Sequence, residues 1–136
     1  MTSPSATRPL PKFPEPDSEP FWRATRDHKL MYQVDPATDE VVFYPRRAVP
    51  GRDLEWREST GAGTIYTYTV IRQHGHPYFR ARAPYIVAYV DLDEGFRMLA
   101  EVVADPDTVH VGQRVAVDWE DHDEVAVPVF RVTGAA

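Results

Sequence analysis

The pattern of apolar and polar positions predicts β-structure through the second half of the chain. Five segments combine strand-forming residues such as Thr, Tyr, Ile and Val with short turns between them. Gly95 suits a tight hairpin turn because it can adopt a positive φ angle. Pro128 lies inside the last segment and indicates a strand edge or a bulge. The predicted strands are residues 63–74, 85–92, 96–103, 110–121 and 125–133.

Five short strands within one compact unit favour a small antiparallel barrel of the OB type. A small β-sandwich would give a similar pattern and is the alternative. Residues 74–84 carry aromatic and arginine side chains between two predicted strands, and we expect a loop there.

The N-terminal part of the chain is rich in proline, which predicts arms and turns rather than sheet. Residues 1–16 are expected to be disordered or to form an extended arm laid along a partner. Residues 17–31 predict a helix whose apolar side includes Phe21 and Trp22. Within the segment 32–56, residues 32–52 predict two short extended pieces joined by a turn, and residues 57–136 form the barrel domain.

Composition narrows the possible functions. The net charge of −6 disfavours a general binder of nucleic acid or anionic membranes, which relies on Lys and Arg. The chain has 0 Cys, which excludes disulfides, thiolate zinc sites and cysteine nucleophiles. No apolar run is long enough to span a bilayer or to act as a signal peptide, so we expect a cytoplasmic location.

Candidate chemistry along the chain is sparse. His74 and His76 would share a face if they lay on a strand, but Gly75 and Pro77 indicate an exposed loop rather than a metal pair. Residues 120–124 have the sequence EDHDE, which favours a solvated acidic turn over an acid–base or cation site. We therefore predict no catalytic residue and no metal site.

Arginines interleave with aromatic residues in two segments. On an OB barrel such residues can stack on bases and pair with phosphates, either of a single strand or of a nucleotide-like cofactor. The alternative is ordinary surface charge beside aromatic packing. The residues are Arg46, Arg47, Arg72, Arg80 and Arg82 with Tyr44, Tyr78 and Phe79.

From about residue 14 to residue 132 the chain resembles the DUF35 family, whose members combine a rubredoxin-like zinc ribbon with an OB-fold and are associated with acyl-CoA. The series of motifs carries the resemblance, since each motif alone is short. In order they are FYPR at 43–46, LEW at 54–56, GAGTIYTYTVI at 61–71, PYIVAYVDLDEGFRMLAEVV at 84–103 and VGQRVAVDW at 111–119.

The chain departs from the family at the zinc ligands. Family members carry one Cys-x-x-Cys pair before the FYPR motif and another after it. The corresponding positions here are Asp35, Thr38, Val49 and Arg52. A carboxylate alone cannot rebuild a tetrahedral zinc site, so we predict a degenerate, metal-free ribbon held by the packing of Val41, Phe43 and Tyr44.

The resemblance implies a non-catalytic accessory subunit of a thiolase-like, lipid-transfer-protein-type enzyme, either a thiolase or a retro-aldolase, for instance in actinobacterial steroid side-chain degradation or fatty acyl degradation. It implies an α2β2 heterotetramer, no cofactor bound by this chain, and a CoA thioester as substrate of the complex. The alternatives are an OB-fold protein that binds single-stranded nucleic acid or a nucleotide, and a stand-alone acyl-CoA-binding module.

Two residue sets follow from this interpretation. Aromatic and arginine residues concentrate interface energy, and they give the predicted partner interface. That interface consists of Phe21, Trp22, Phe43, Tyr44, Arg47, Tyr78 and Phe79. The candidates for contact with the CoA phosphates are Arg46, Arg72, Arg80 and Arg82.

Overall fold

The computed structural model describes residues 7–12, 15–46 and 49–133. Two short helices and eight strands lie within this part of the chain. The elements are α1 (Glu19–Thr25), β1 (Met31–Asp35), β2 (Glu40–Val42), β3 (Glu55–Glu58), β4 (Ala62–Ile71), α2 (Pro77–Arg82), β5 (Tyr85–Leu92), β6 (Arg97–Val103), β7 (Arg114–Asp121) and β8 (Ala126–Val132). The peptide bonds Phe43–Tyr44 and Ala83–Pro84 are cis.

Strands β4 to β8 form a closed five-stranded barrel in the order β4-β5-β6-β8-β7. All neighbouring strands are antiparallel except β6 and β8. The interior is filled by branched and aromatic side chains that are almost completely buried, and these come from every barrel strand. They include Ile65, Ile86, Val90, Val102, Val115 and Phe130. The mainly β architecture with a five-stranded OB-fold barrel is confirmed.

The barrel is only narrowly closed between β6 and β8. Their parallel pairing covers two positions, Val102 with Phe130 and Val103 with Arg131. Alternation along β8 places the ring nitrogen of Pro128 on the β6 side, where no ladder hydrogen bond is formed. Within the described chain, the first half of each strand therefore has an open edge here. The predicted strand edge at Pro128 is confirmed.

Strands β1 to β3 form a separate three-stranded sheet in the order β2-β1-β3. Two of its strands correspond to the extended pieces predicted between residues 32 and 52. The third, β3, pairs with β1 from Met31–Glu58 to Val34–Glu55 and was not predicted as part of this sheet. The LEW motif thus belongs to the small sheet, which extends as far as Glu58.

Aromatic packing attaches the small sheet to the barrel. The ring of Tyr32 stacks on Phe96, the residue just before β6, with ring centroids 4.9 Å apart. Phe43 contacts the same ring at 4.7 Å and Phe21 of α1 at 6.2 Å. Barrel, sheet and helix therefore share one apolar cluster, which includes the half-buried Val41.

An ion pair links the two turns that correspond to the family's cysteine pairs. The backbone amide of Thr38 donates to the carbonyl of Asp35, and that of Arg52 donates to the carbonyl of Val49. Nε of Arg52 lies 3.5 Å from a carboxylate oxygen of Asp35, and its Nη2 lies 2.5 Å from Glu40. A charge pair thus connects the two turns at which the resemblance places the zinc-ligand positions.

Helix α1 is fixed to the barrel by a buried threonine. Oγ1 of Thr25 donates to the carbonyl of Trp22 at 2.5 Å and accepts from the amide of Ala126 at 3.1 Å. Beyond the helix, the ring of His28 stacks on Trp119 at 5.4 Å. These contacts hold the apolar side of α1 against β8.

The prediction of a loop over residues 74–84 is wrong at its centre, where α2 occupies Pro77–Arg82. Nδ1 of His76 accepts a hydrogen bond from the amide of Tyr78 and so caps the first turn. Pro77 follows directly, a residue favoured at the first helical position. Six residues are too few for a clear apolar period, so the loop signals dominate the sequence pattern.

Candidate functional site

A cavity of about 340 Å³ opens at the gap between β6 and β8. Its walls come from four parts of the chain: the α1 region, the segment after β2, the open edge of β6 and the start of β8. We call it the seam groove. The residues that line it are Arg8, Ser18, Phe21, Trp22, Phe43, Tyr44, Pro45, Met98, Leu99, Ala100, Glu101, Val127 and Pro128.

Four aromatic residues predicted for an interface meet in this groove. Phe21 and Trp22 pack edge to face at 5.1 Å, and Phe43 lies 4.5 Å from Tyr44. Phe21 is buried, whereas the Tyr44 side chain is 56% exposed. The structure therefore brings these four residues together as one apolar surface that reaches solvent at Tyr44.

Tyr44 also hydrogen-bonds to the open edge of β6. The backbone amide of Leu99 donates to the hydroxyl of Tyr44 at 3.2 Å. In an antiparallel ladder, the amide and carbonyl of one residue point to the same side. The carbonyl of Leu99 therefore also faces away from β5 and towards the seam.

One end of the groove is closed by a guanidinium from the N-terminal arm. Arg8 donates to Glu101 at 3.0 Å and to Glu120 at 2.7 Å, and its side chain is only 9% exposed. It also lies 5.0 Å from the ring centre of Tyr78. The described part of the arm thus docks on this chain's own barrel.

The ion-pair network around Arg8 sets the charge state of Glu120. Burial raises the pKa of this carboxyl group, but hydrogen bonds from Arg8 and His122 outweigh burial and lower the pKa to about 2. Glu120 is therefore ionised throughout the neutral and mildly acidic range, and it neutralises Arg8 together with Glu101.

Arg82 belongs to the same network and is a poorer phosphate ligand than predicted. Its guanidinium donates to Glu101 and to the hydroxyl of Tyr78, and it lies 3.4 Å from Glu120. Two carboxylates therefore already balance its charge. Tyr78 and Phe79 are half-buried against each other, 5.1 Å apart, beside this network rather than in the groove.

The other predicted phosphate ligands are not neutralised in the described chain, although the guanidinium of Arg80 donates to the backbone carbonyls of His74 and Gly75. Arg46, Arg72 and Arg80 are exposed. Within the described chain, no carboxylate lies within ion-pair distance of any of the three. Arg72 and Arg80 share the connection between β4 and β5, whereas Arg46 follows the small sheet. Arg47 lies outside the described residues.

An exposed apolar strip continues from the groove across the outside of the barrel. Leu99 is 48% exposed and pairs directly with the exposed Tyr89 on β5. A shallower depression lies here, lined by Thr67, Tyr68, Thr69, Val87, Tyr89 and Leu99. Leu99 lines both depressions, so the seam groove and the outer face of β4 to β6 form one continuous surface.

The predicted absence of catalytic chemistry remains a prediction. In residues 7–12, 15–46 and 49–133, no group of three or more His, Asp or Glu side chains could hold a metal ion. His74 accepts a hydrogen bond from the amide of His76, and both rings pack near Phe79. Among the described residues, no helix is long and apolar enough to cross a membrane.

Sequence reasoning missed most of the other residues that line the groove, among them Leu99, Glu101 and Arg8. The sequence does carry a signal for Leu99. Met98, Leu99 and Ala100 are consecutive apolar residues, and they interrupt the apolar–polar alternation expected of a strand with one solvent-exposed face. No local sequence signal indicates Glu101 or Arg8, since their ion pair joins positions 93 residues apart. The groove itself follows from a gap in strand pairing, which no local pattern encodes.

Fold and site together define an OB-fold barrel with an apolar groove at the seam between β6 and β8. A family model described as "ChsH2, C-terminal OB-fold domain" matches residues 56–120. A chain of the solved structure titled "Ltp2-ChsH2(DUF35) aldolase" is 31% identical, with a TM-score of 0.79 over 90% of this chain and 98% of that one. The chain belongs to the DUF35 family.

Two curated relatives are longer proteins. The chain is 34% identical over 94% of its length to a probable enoyl-CoA hydratase alpha subunit of Thermomonospora curvata, of which it covers 41%. It is 30% identical over 89% of its length to the 3-oxo-4,17-pregnadiene-20-carboxyl-CoA hydratase alpha subunit of Mycobacterium tuberculosis, of which it covers 37%. It thus spans about two fifths of each relative.

Proposed function

We propose that this chain is a non-catalytic accessory subunit of a thiolase-like enzyme that acts on acyl-CoA thioesters. The observation that carries the proposal is the match over 98% of a chain in a structure titled as an aldolase containing a DUF35 component. The names of the two hydratase subunits support an acyl-CoA context, and one of them names a steroid-derived thioester.

The seam groove supports a role in assembly. It gathers aromatic side chains, which contribute strongly to interfaces when a partner buries them. The adjoining strip with Leu99 and Tyr89 extends this surface across the outside of the barrel. We propose that the partner enzyme covers both and that two copies of each subunit form a heterotetramer.

Charge distribution supports a secondary role near the substrate. The connection between β4 and β5 carries Arg72 and Arg80 without a neutralising carboxylate within the described residues, although the whole chain has a net charge of −6. Such a local excess of positive charge suits the phosphates of a CoA thioester. In the proposed complex, these arginines face the entrance to the partner's active site.

The function is tested by co-expressing the chain with every thiolase-like protein found in the neighbourhood of its gene. We expect a stable complex that cleaves or forms a carbon–carbon bond on a CoA thioester, and no turnover by this chain alone. Full activity of the purified chain without a partner would refute the accessory role. Failure of every neighbouring thiolase-like subunit to bind would refute the assignment of the partner.

The interface is tested with Phe43→Ala and Tyr44→Ala, compared with Val111→Ala, which removes an exposed apolar side chain outside both depressions. We expect the two aromatic variants to weaken complex formation about tenfold or more. Val111→Ala should bind as the wild type does. If the aromatic variants lower the melting temperature but bind normally when folded, these residues stabilise the chain and are not part of the interface.

A nucleic-acid function is the second candidate. The exposed Tyr66 and Tyr89 on the barrel favour it because aromatic side chains can stack on bases. The guanidinium of Arg97 already lies 3.5 Å from the ring centre of Tyr66, and the acidic net charge opposes a phosphate backbone. A salt-dependent shift of a single-stranded oligonucleotide at micromolar protein would support this function, and the absence of a shift would remove it.

A further inference from the structure

The seam groove combines an apolar cavity with an open strand edge. Within the described chain, no strand pairs with β6 on the seam side before Val102. The amide of Leu99 points to that side, as its bond to Tyr44 shows, and its carbonyl points the same way. An open edge of this kind accepts an extended peptide, which adds to the sheet through main-chain hydrogen bonds.

The charges of the groove restrict what can enter it. Its two charged lining residues, Arg8 and Glu101, are paired at 3.0 Å and are both nearly buried. The cavity therefore offers no unpaired charge, and burying a charged side chain there would be unfavourable. Outside the groove, Arg46 is exposed and unpaired within the described chain, one residue after Pro45, which lines the cavity. This pattern is complementary to an uncharged apolar side chain with an acidic residue close by.

We infer that an extended segment of the partner enzyme adds to the open edge of β6 and inserts an uncharged apolar side chain into the seam groove, with an acidic residue beside Arg46. This inference rests on the proposed function and specifies how the partner docks. In the isolated chain the hydroxyl of Tyr44 accepts from the amide of Leu99, and the incoming segment replaces this hydroxyl as the acceptor while donating to the Leu99 carbonyl. Pro128 presents no N–H on the β8 side of the seam, so β8 does not itself pair with this part of β6.

The test separates edge pairing from side-chain contact at a single position. Leu99→Ala removes the apolar side chain but keeps the edge, whereas Leu99→Pro also removes the amide and blocks strand addition. Neither variant loses a ladder bond to β5, because the amide of Leu99 donates to Tyr44. We expect Leu99→Pro to weaken binding of the co-purified thiolase-like subunit about thirtyfold and Leu99→Ala about threefold, by titration calorimetry.

Hydrogen exchange of the wild-type complex tests edge docking without any substitution, and it applies even if Leu99→Pro does not fold. Hydrogen exchange of residues 97–101 should slow on binding, because edge amides become hydrogen-bonded, while exchange of β7 should remain unchanged. Equal binding by Leu99→Pro and Leu99→Ala, or unchanged exchange of residues 97–101 in a complex that forms, would overturn edge docking and leave the accessory role intact. Concentration-dependent dimers of the chain that Leu99→Pro abolishes would assign the edge to a second copy and would also overturn it.

Discussion

Strands β5 and β1 are both central strands, yet different contacts stabilise them. β5 pairs over eight positions with β4 and six with β6, and its inward side chains lie inside a closed barrel. β1 pairs over three positions with β2 and four with β3. Its buried Tyr32 packs on Phe96 of the barrel, and its buried Gln33 and Asp35 make polar contacts. The small sheet therefore depends on the barrel for its burial, whereas the barrel supplies its own.

The polar contacts of β1 show how a sheet this small keeps its shape. The side chain of Gln33 accepts from the amide of Arg46 at 2.6 Å and donates to its carbonyl at 2.5 Å. Asp35 accepts from the amide of Ala37 and pairs with Arg52. These bonds fix the turns directly, a task that the metal performs in a zinc ribbon.

The largest loss of stability is expected from a substitution inside the barrel. Phe130→Ala removes a fully buried ring at the seam and should lower the free energy of unfolding by about 4 kcal/mol. Denaturant unfolding with far-UV circular dichroism measures this loss. The small sheet should unfold in the same transition, because its apolar contacts are made to the barrel. A separate transition for the sheet would contradict this dependence.

The second-largest loss of stability is expected at Phe96, the residue through which the small sheet packs on the barrel. Phe96→Ala removes the ring on which both Tyr32 and Phe43 pack, and we expect a loss of about 3 kcal/mol. Phe79→Ala is the matched control, since Phe79 lies on α2 and packs on Tyr78 and Tyr85, away from the sheet. Hydrogen exchange should accelerate in β1 for the first variant only. Equal acceleration in both would show that the sheet does not depend on Phe96.

A smaller loss of stability is expected from substitution of Arg8 in the N-terminal arm. Arg8→Ala leaves Glu101 and Glu120 with fewer partners and should cost about 1–2 kcal/mol, measured by denaturant unfolding at neutral pH. Arg8→Lys restores the charge without the bidentate geometry and should recover part of the loss. Because the described ion pairs and ring contacts of Arg8 are with the barrel and α2, hydrogen exchange of β1 should remain unchanged.

The same network gives a pH dependence. The pKa of Glu120 is lowered to about 2 in the folded chain, below its ordinary value of 4.5. Its contribution to stability is therefore fully present above about pH 5 and is lost as the pH falls towards 2. Acid titration of the melting temperature should show this loss in the wild type and a weaker one in Arg8→Ala. Identical acid profiles would show that Arg8 does not lower this pKa.

The smallest effect is expected in the small sheet. Arg52→Ala removes the pairs with Asp35 and Glu40, and because the side chains of Arg52 and Glu40 reach solvent, the loss of stability should be small and should shrink at high salt. Thermal melting at low and at high salt measures both. A chelator should leave the melting temperature of the wild type unchanged. A decrease on chelation would show that a metal, rather than the ion pair, holds the turns.

The parts of the fold that the sequence predicts well are those with local signals. The hairpin of β5 and β6 follows from two apolar runs around Gly95, whose φ angle is +103°. β3 was missed because Glu55 to Glu58 is short and carries charges at three of four positions. α2 was missed because its six residues look like a loop. Short elements depend on what they pack against, and a single sequence does not show that.

The residues of the candidate site also fall into a group that the sequence predicts well and a group that it does not. Phe21, Trp22, Phe43 and Tyr44 were selected for residue type alone, and the structure brings them together. Arg82 was selected on the same grounds, but Glu101 and Glu120 already hold it. The difference arises from long-range pairing, since these carboxylates lie 19 and 38 residues away along the chain. Residue type indicates what a side chain can do, and its neighbours decide whether it is free to do so.

The narrow closure between β6 and β8 also affects how the chain behaves at high concentration. An open strand edge can template pairing between identical molecules, the first step towards fibres and amorphous aggregates. Here Pro128 presents no donor on one side of the seam, and the hydroxyl of Tyr44 already holds the Leu99 amide on the other. Both features oppose self-pairing while the chain is without a partner. Tyr44→Phe should therefore increase light scattering by concentrated samples, even where the melting temperature changes little.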